Sequence, residues 1–522
     1  MWGRAAIVAA LAALLFSPAA TGGVKSDAAV AKRGLTAAVA SGRLPAEAAA
    51  EYRATVNRAV QAHSRLGGSR AANLAGAIRD AAGLAGRYDE PHGLILFRGL
   101  DENVRYFGNR ASPAGTVDIE GEDGTIYRYF PSHGFQFHPL ANFAKLNDHA
   151  RRLDYEATSQ LAEALLARAV RTRSGLAWEY LFPFGGGRTP WTSGMAQAVA
   201  AQAFARASSA LGDPALLEPA VAAYATLPSL TATTSAGPWI RLYSFSSMLV
   251  LNAQLQAALS VREYARLAAS ADAQLFAERL EATALALLPR FDTGAWSLYA
   301  LNGAEGTLHY HRYVVTLLKR LGTLTKQPEW ADAATTFDSY LVVPPELDEL
   351  GGMRVIYPRP RDGFRDSSSV TFTLSKLSTV RLAVGGDRKP VTLPRGRHTL
   401  FWEPGGRPPQ VYAAKLVATD LAGNTAELPL KPIEVRVDTA APEVSARLTG
   451  RRLGWRAVDD ATPWVRLTVV LENGAGRRRI ELGPRPLAGS ALLRLPKGRW
   501  AVRLGAADST GNRAVVPLGA IG

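Results

Sequence analysis

The chain has 522 residues, of which 47% are hydrophobic and 20% charged, with a formal net charge of +15 and no cysteine. That length exceeds one ordinary core and sets an expectation of about two to four domains. The lack of cysteine excludes disulfides, thiol nucleophiles, zinc–thiolate sites and iron–sulfur clusters.

In chain order, the first 23 residues, MWGRAAIVAALAALLFSPAATGG, carry an early arginine, an apolar run and a small-residue cleavage site near Ala20. This is the pattern of a secretory signal peptide. The apolar run falls short of the roughly 20 residues that span a bilayer. No later segment is long and apolar enough to do so, and a secreted or cell-envelope protein is expected.

Residues 24–341 have a helical period. Apolar positions recur three and four apart through EATSQLAEALLARAVRT, GMAQAVAAQAFARASSAL, SMLVLNAQLQAALSVREYARLA and AQLFAERLEATALALL. Short breaks such as GGGRTP, GDPALLEP and LPRFDTG separate them. Paired helices without a sustained heptad predict hairpins stacked into an α/α toroid. One interruption is expected at about residues 93–130, where GLILFRGL and TVDIEGEDGTIYRYF alternate in strand fashion and predict a β-hairpin flap.

VVPPELDELGG, residues 342–352, reads as a linker, and beyond it the period becomes two. A-x-D-x-x-G-N-x-A-x-x-P occurs in ATDLAGNTAELP from Ala418 and again in AADSTGNRAVVP from Ala506, while VRLAV at Val380 recurs as VRLTV at Val465. The repeat predicts two tandem β-sandwich modules, 353–438 and 439–522, of the immunoglobulin-like kind. The Asp-x-x-Gly-Asn turns read as structural, and no metal site is expected in the chain. Basic stretches in this half, RRLGWR and GRRRIELGPR, fit attachment to an acidic envelope or polysaccharide. No nucleic-acid-binding motif accompanies them, so nucleic acid is not an expected partner. The oligomeric state, a homodimer included, is left open.

No GxSxG elbow, Walker loop, HExxH pair or dinucleotide fingerprint is present. Aromatic and polar residues instead gather at predicted helix starts: SHGFQFHPLANF with His138, WEYLFPF with Tyr180, PWTSGMAQ with Trp191, WIRLYSFS with Arg241 and Tyr243, and WSLYALNGAEGTLHYHRYVV. The last holds Tyr299, Asn302, His309, Tyr310 and His311. In a toroid such starts share one rim and line a cleft. Aromatic faces there would stack on sugar rings while Arg, His, Asn and Gln bond hydroxyls and carboxylates.

From about residue 125 to 340, the series FQFHPLANFAKLN, WEYLFPF, PWTSGMAQAVAAQAFARA, SFSSMLVLNAQLQAAL, FDTGAWSLYAL and HYHRYVVTLLKRL resembles the C-terminal helical domain of D-glucuronyl C5-epimerases. The resemblance implies a toroid with a substrate cleft, tyrosines as acid–base groups, and no metal or nicotinamide cofactor. It matches Tyr299 and Tyr310 to catalytic tyrosines of the family. A tyrosine acts as base only if nearby cations lower its pKa from about 10, and His309, His311 and Arg241 are the residues expected to do that or to clamp the substrate carboxylate, with His311 counted among the catalytic groups. Inverting C5 of a uronate needs a base on one face of the ring, an acid on the other, and neutralisation of the carboxylate. Two positions depart from the family pattern: Gln256 stands where a third tyrosine is expected, and Asn302 where an arginine is. Tyr243 and Arg241 are the candidate replacements, with Gln256, Asn302, Tyr180, Trp191 and His138 as sugar contacts. The leading expectation is a secreted epimerase acting on uronic acids of an acidic polysaccharide. A uronate lyase starts with the same proton abstraction. A glycosidase would need two carboxylates, for which Glu179 and Asp292 are the candidates. A non-catalytic glycan-binding protein is the reading from outside enzymes.

Overall fold

The computed structural model describes residues 23–386 and 389–522. The expected leader peptide, except for Gly23, lies outside the described residues. The chain divides into two compact units, one ending at Tyr340 and the other beginning at Leu341.

The first unit opens with helices α1 (Val24–Ala40), α2 (Ala46–His63), α3 (Gly68–Gly83) and α4 (Glu90–Asn109). Helix α4 corrects the strand expected at GLILFRGL. Asp89 caps it by accepting from the His92 N–H at 3.0 Å, and Pro91 suits its first turn. Its buried residues His92, Ile95, Leu96, Gly99, Leu100, Asn103 and Phe107 follow the helical spacing, so the alternation seen in the short run is local. The flap begins later and has three antiparallel strands, β1 (Asp118–Glu120), β2 (Ile126–Phe130) and β3 (Gly134–Phe137).

The helical period then resumes with α5 (Pro139–Arg152) and α6 (Tyr155–Leu166), a two-residue pair β4 (Val170–Arg171) and β5 (Leu176–Ala177), and α7 (Gly194–Leu211) and α8 (Leu217–Tyr224). A second pair, β6 (Thr231–Thr234) and β7 (Gly237–Ile240), leads to α9 (Leu251–Leu267), α10 (Ala271–Leu287), α11 (Leu308–Thr325) and α12 (Pro328–Ser339). Helices α5, α7, α9 and α11 touch one another in succession, while α6, α8, α10 and α12 each pack on the preceding helix. Sequence explains the two layers. Helix α7 is buried from Gly194 to Ala205 and α9 from Leu251 to Val261, both rich in alanine, as fits helices enclosed on all sides. Helices α6, α10 and α12 bury one face only.

Each inner helix is preceded by a hairpin or paired loop. β2 and β3 precede α5, the Tyr180–Trp191 bridge precedes α7, β6 and β7 precede α9, and the Leu298–Glu305 bridge precedes α11. His138, Ser193 and Thr307 cap α5, α7 and α11 with their side chains. This construction brings the N-terminal ends of the inner helices, and the aromatic stretches before them, to one rim.

The second unit is all β. β8 (Leu347–Gly351), β9 (Val355–Ile356), β10 (Ser368–Leu374), β11 (Ser378–Val384), β12 (Pro390–Leu393), β13 (Gly396–Trp402), β14 (Val411–Asp420) and β15 (Thr425–Val435) form two sheets ordered β13-β10-β8 and β12-β11-β14-β15-β9. They share one core that includes Val370, Phe372, Val380, Leu382, Trp402 and Leu416. Strand β8 lies inside the stretch read as a linker, because Leu347–Gly351 completes the β10 edge. β16 (Glu443–Thr449), β17 (Arg452–Val458), β18 (Trp464–Asn473), β19 (Gly476–Pro486), β20 (Ala488–Leu492), β21 (Trp500–Ala507) and β22 (Arg513–Ile521) form the sheets β16-β17-β20 and β19-β18-β21-β22. Leu453, Trp455, Leu467, Val469 and Leu504 belong to their common core.

Gly194 is where the start of α7 meets the strand leading to Tyr243. Its N–H donates to the Arg241 carbonyl at 2.9 Å, and a Cβ would stand 2.7 Å from that oxygen and 2.8 Å from the Ile240 side chain. Gly194→Ala is expected to cost about 1–3 kcal/mol in urea unfolding through overpacking. An unchanged midpoint would mean that this junction is not tight.

Candidate active site

Aromatic side chains from three of these rim loops pack into one wall. The rings of Tyr180 and Trp191 stack at 4.0 Å with an interplanar angle of 3°, held by the backbone bridge between them. Tyr180 lies edge-on to His138 at 5.4 Å. Trp191 meets Tyr243 at 5.8 Å and Phe245 at 5.6 Å, and Phe184 meets Tyr243 at 5.5 Å. The Thr192 carbonyl accepts from the Ser244 N–H at 2.9 Å, tying this wall to the loop before α9. Phe245 and Met248 are exposed at its edge, whereas Tyr180 and Trp191 are buried.

Tyr243 and Tyr299, 56 residues apart, bring their hydroxyls to 3.2 Å beside this wall. Both are half-buried. Burial, and then the neighbouring Tyr299, push the Tyr243 phenol well above its ordinary range; burial also raises Tyr299, with the bond from Tyr243 partly opposing it. At neutral pH the pair is therefore two neutral phenols sharing one hydrogen bond.

Tyr310 has a different position. It is fully buried, its hydroxyl donates to the Tyr299 carbonyl at 2.8 Å, and the same oxygen accepts from the Asn252 N–H at 3.1 Å. Burial holds its phenol well above the usual range. With the hydroxyl engaged on both sides, Tyr310 positions Tyr299 and does not face a substrate, which corrects its expected role in proton transfer. His311 is corrected as well. It is fully buried, with Nδ1 2.8 Å from the Ser297 hydroxyl and Nε2 2.8 Å from the Phe337 carbonyl, and its ring stacks on Trp296 at 4.0 Å. Nδ1 thus holds the loop before α11, and Nε2 joins α11 to α12.

Gln256 is buried within the helical layer. Its Oε1 accepts from the Tyr313 hydroxyl at 2.7 Å, and its Nε2 donates to Ser260 Oγ at 2.8 Å, which in turn donates to Gln202. That chain joins α7, α9 and α11 and engages both polar atoms of the amide inside the helical layer. A phenol does approach position 256, but it arrives from Tyr313 on the neighbouring helix. Asn302 is exposed at φ 59°, a left-handed turn position that Asn tolerates better than most side chains. His309 is exposed on the first turn of α11. Arg241 is half-buried two residues before Tyr243, and its Nε is buried without a hydrogen-bond partner. It is the cation closest in sequence to the phenol pair. His138 is buried, accepts the Ala141 N–H as the α5 cap, and is held well below its ordinary pKa by burial and by Arg128. It is neutral and packs against Tyr180.

Two groups missed in the sequence border this region. His133 Nδ1 lies 2.8 Å from the buried Asp80 carboxylate, with its ring 5.6 Å from Phe182. The only sequence signal was the SHG turn, which fixes Ser132 and Gly134 at positive φ. His92 is the second, placed between Asp89 at 2.9 Å and Glu179 at 2.8 Å. Glu179 is thereby engaged, and Asp292 accepts from the Tyr340 hydroxyl at 2.9 Å while capping Gly294. Both carboxylates considered for a glycosidase thus serve structural contacts. A cleft of about 290 Å³ beside α4, lined by Arg98, Asp101, Glu102, Arg105, Glu122 and Asp123, contains none of the expected site residues.

The class defined so far is a two-layered helical domain whose rim loops build an aromatic wall around a tyrosine pair. The comparisons agree in part: residues 173–339 match the family model described as D-glucuronyl C5-epimerase C-terminus. No curated protein matches the chain. Among solved structures, the GH76 alpha-mannanase BT2949 from Bacteroides thetaiotaomicron is 13% identical at TM-score 0.31, covering 50% of this chain and 72% of that one. The endo-beta-1,4-glucanase CMCax from Acetobacter xylinum is 14% identical at TM-score 0.28, covering 41% and 74%. The fibronectin(III)-like modules of CbhA from Clostridium thermocellum are 15% identical at TM-score 0.16, covering 34% and 93%. Overlaps this slight carry no argument, and the fold rests on the contacts above. No helix among the described residues is long and apolar enough to cross a membrane.

His92 gives this region a pH dependence. Burial lowers its pKa, but Asp89 and Glu179 outweigh that and raise it to about 9. A raised histidine contributes stability that is complete below its unfolded value of about 6.5 and is lost as pH climbs through the folded value. With Asp89 partly exposed and screened, the loss is expected to be about 2 kcal/mol between pH 6.5 and 9.5 in urea unfolding. His92→Asn should flatten that slope. A wild-type slope that persists in the variant would assign it elsewhere.

Proposed function

We propose that this protein is a secreted epimerase-like enzyme that inverts C5 of uronic-acid residues in an acidic polysaccharide. The observation that carries the reading is the Tyr243–Tyr299 pair beside the aromatic wall, within the segment that matches the C5-epimerase domain. A uronate bound there would stack on the wall, with its carboxylate toward Arg241. One tyrosine, as phenolate, would take the C5 proton into its O–H bond and leave the electron pair delocalised into the carboxylate. The other, as phenol, would return a proton to the opposite face of C5. Supporting this chemistry are the half-buried phenols and the Arg241 guanidinium, two residues before Tyr243 in the chain, which could offset the charge developing on the carboxylate.

In the same reading the inner and outer helices close into an α/α toroid. The two β modules are immunoglobulin-like accessories whose basic faces, such as the exposed Arg477 to Arg479 on β19, hold acidic glycan or envelope. Inversion requires a sugar ring between the two tyrosines, so their 3.2 Å contact must open on binding. Tyr243 lies in an irregular segment between β7 and α9 that can supply that movement.

The same contact supports a second reading. Two hydroxyls held on one side suit syn elimination, in which the base takes the C5 proton and the C4–O bond breaks as the leaving oxygen gains a proton. Incubation with uronate polysaccharides in deuterated water separates the two. Epimerisation places deuterium at C5 without chain cleavage, and elimination gives an unsaturated uronate that absorbs in the ultraviolet. Tyr299→Phe and Tyr243→Phe should each slow C5 exchange by about 10²–10⁴-fold. Tyr310→Phe should retain exchange while costing about 1–3 kcal/mol of stability, because it strips a bond from two backbone groups. Full exchange in Tyr299→Phe, or binding with neither product across the panel, would remove the enzymatic assignment.

A further inference from the structure

The two β modules close the same Asp-x-x-Gly-Asn turn in electrically opposite ways. In the first, Asp420 Oδ1 accepts the Ala422 and Asn424 N–H groups at 2.9 and 2.8 Å. Its Oδ2 pairs with the buried Lys376 ammonium at 2.7 Å and with the Asn424 side chain at 3.1 Å. In the second, Asp508 Oδ1 is loaded even more heavily. It accepts from the N–H groups of Thr510, Gly511 and Asn512 at 2.9, 2.6 and 2.9 Å and from the Thr510 hydroxyl at 2.7 Å.

No lysine enters on the other side. The stretch 459–463, DDATP, leads into β18 as SKL leads into β11, and it contains no basic residue. Asp508 is 3% exposed, and its Oδ2 is buried with no hydrogen-bond partner. Asp438, 7% exposed, and the half-buried Asp459 stand beside it, one oxygen of each of the three acids lying within 4.8 Å of the others. No ion pair reaches any of the three among the described residues. Backbone N–H groups fix the two neighbours, Ala440 donating to Asp438, and Ala461 and Thr462 to Asp459; the Thr510 hydroxyl, whose one proton goes to Asp508, also lies 2.9 Å from Asp438 Oδ2. Ser509 Oγ is a further buried polar atom without a partner in the same turn.

Three carboxylates packed this closely, two of them nearly inaccessible, repel one another unless a positive charge sits among them. We propose that Asp438, Asp459 and Asp508 form a Ca²⁺ site, in which the ion takes the place that the Lys376 ammonium holds in the first module. The donor set is all oxygen and rich in carboxylate, with no histidine or cysteine, which suits a hard cation. An oxygen spacing under 4.8 Å is compatible with Ca–O distances of about 2.3–2.6 Å. The ion would lock the segment before β16 and the start of β18 to the β21–β22 turn, making the last module dependent on calcium.

The full-length protein, stripped with EDTA and dialysed, is titrated with CaCl₂ by calorimetry and followed by thermal unfolding. One ion should bind per chain with Kd on the order of 10⁻⁴ M, and saturating calcium should raise the midpoint of one transition by about 5 °C or more. Asp508→Asn keeps an oxygen for the turn, and Asp459→Asn keeps the cap; each should weaken binding by about tenfold or more and abolish the calcium shift. Wild-type protein that binds no calcium at millimolar concentration, or either variant binding as tightly as wild type, would overturn the site. Because the first outcome is read on wild-type protein, it does not depend on the variants folding.

Discussion

The Tyr310 hydroxyl is the contact on which the geometry of the candidate site depends. It donates to the carbonyl of Tyr299 and receives the N–H of Asn252, joining the hairpin before α11 to the first turn of α9. Flanking bonds repeat the joint: Leu251 N–H to the Tyr299 carbonyl at 3.3 Å, and Leu301 N–H to the Leu249 carbonyl at 2.9 Å. Fixing the backbone of Tyr299 against α9 aims its side chain at Tyr243, which arrives from the other side of α9 on the loop after β7. Breaking a buried double engagement of this kind costs more than an average hydrogen bond, because the Asn252 N–H would be left unsatisfied and the Tyr299 carbonyl would keep only the longer bond from Leu251.

Around that joint, the helical unit uses one repeated device. A hairpin or paired loop delivers aromatic residues, a capping side chain starts the inner helix in α5, α7 and α11, and an outer helix returns. The alanine-rich inner helices α7 and α9 allow close approach, and the rim loops come near enough for Tyr180, Trp191, Tyr243 and Tyr299 to form one surface from four separate stretches. In the proposed function the aromatic wall is the stacking surface for a saccharide, and the phenol pair is its proton donor and acceptor. In the same proposal Arg241, two residues before Tyr243, carries the positive charge that would meet a carboxylate.

Much of this was legible in the residues. The helical period, the change to alternation after residue 342 and the tandem turn repeat all appeared as patterns, since each follows from local backbone geometry. Tyr299 and Tyr243 were singled out, but their contact was not, because nothing local links positions 56 residues apart. His311 and Gln256 misled for the same reason: the partners that consume their polar atoms, Phe337 and Tyr313, lie far along the chain. GLILFRGL failed differently, as a short run whose alternation was overridden by the Asp89 cap and the longer helical spacing of α4. In the second module the Asp508 turn was visible as a repeat, while the acids that surround it come from two other segments.

The central claim is that a neutral phenol pair must lose a proton before it can act as base. The direct measurement is the pH dependence of protein-dependent C5–H exchange in deuterated water. With both phenols raised by burial, the rate should climb about tenfold per pH unit from pH 7 to 9, and Tyr299→Phe should remove the climb. A rate that peaks near pH 7, or an undiminished climb in Tyr299→Phe, would contradict the account.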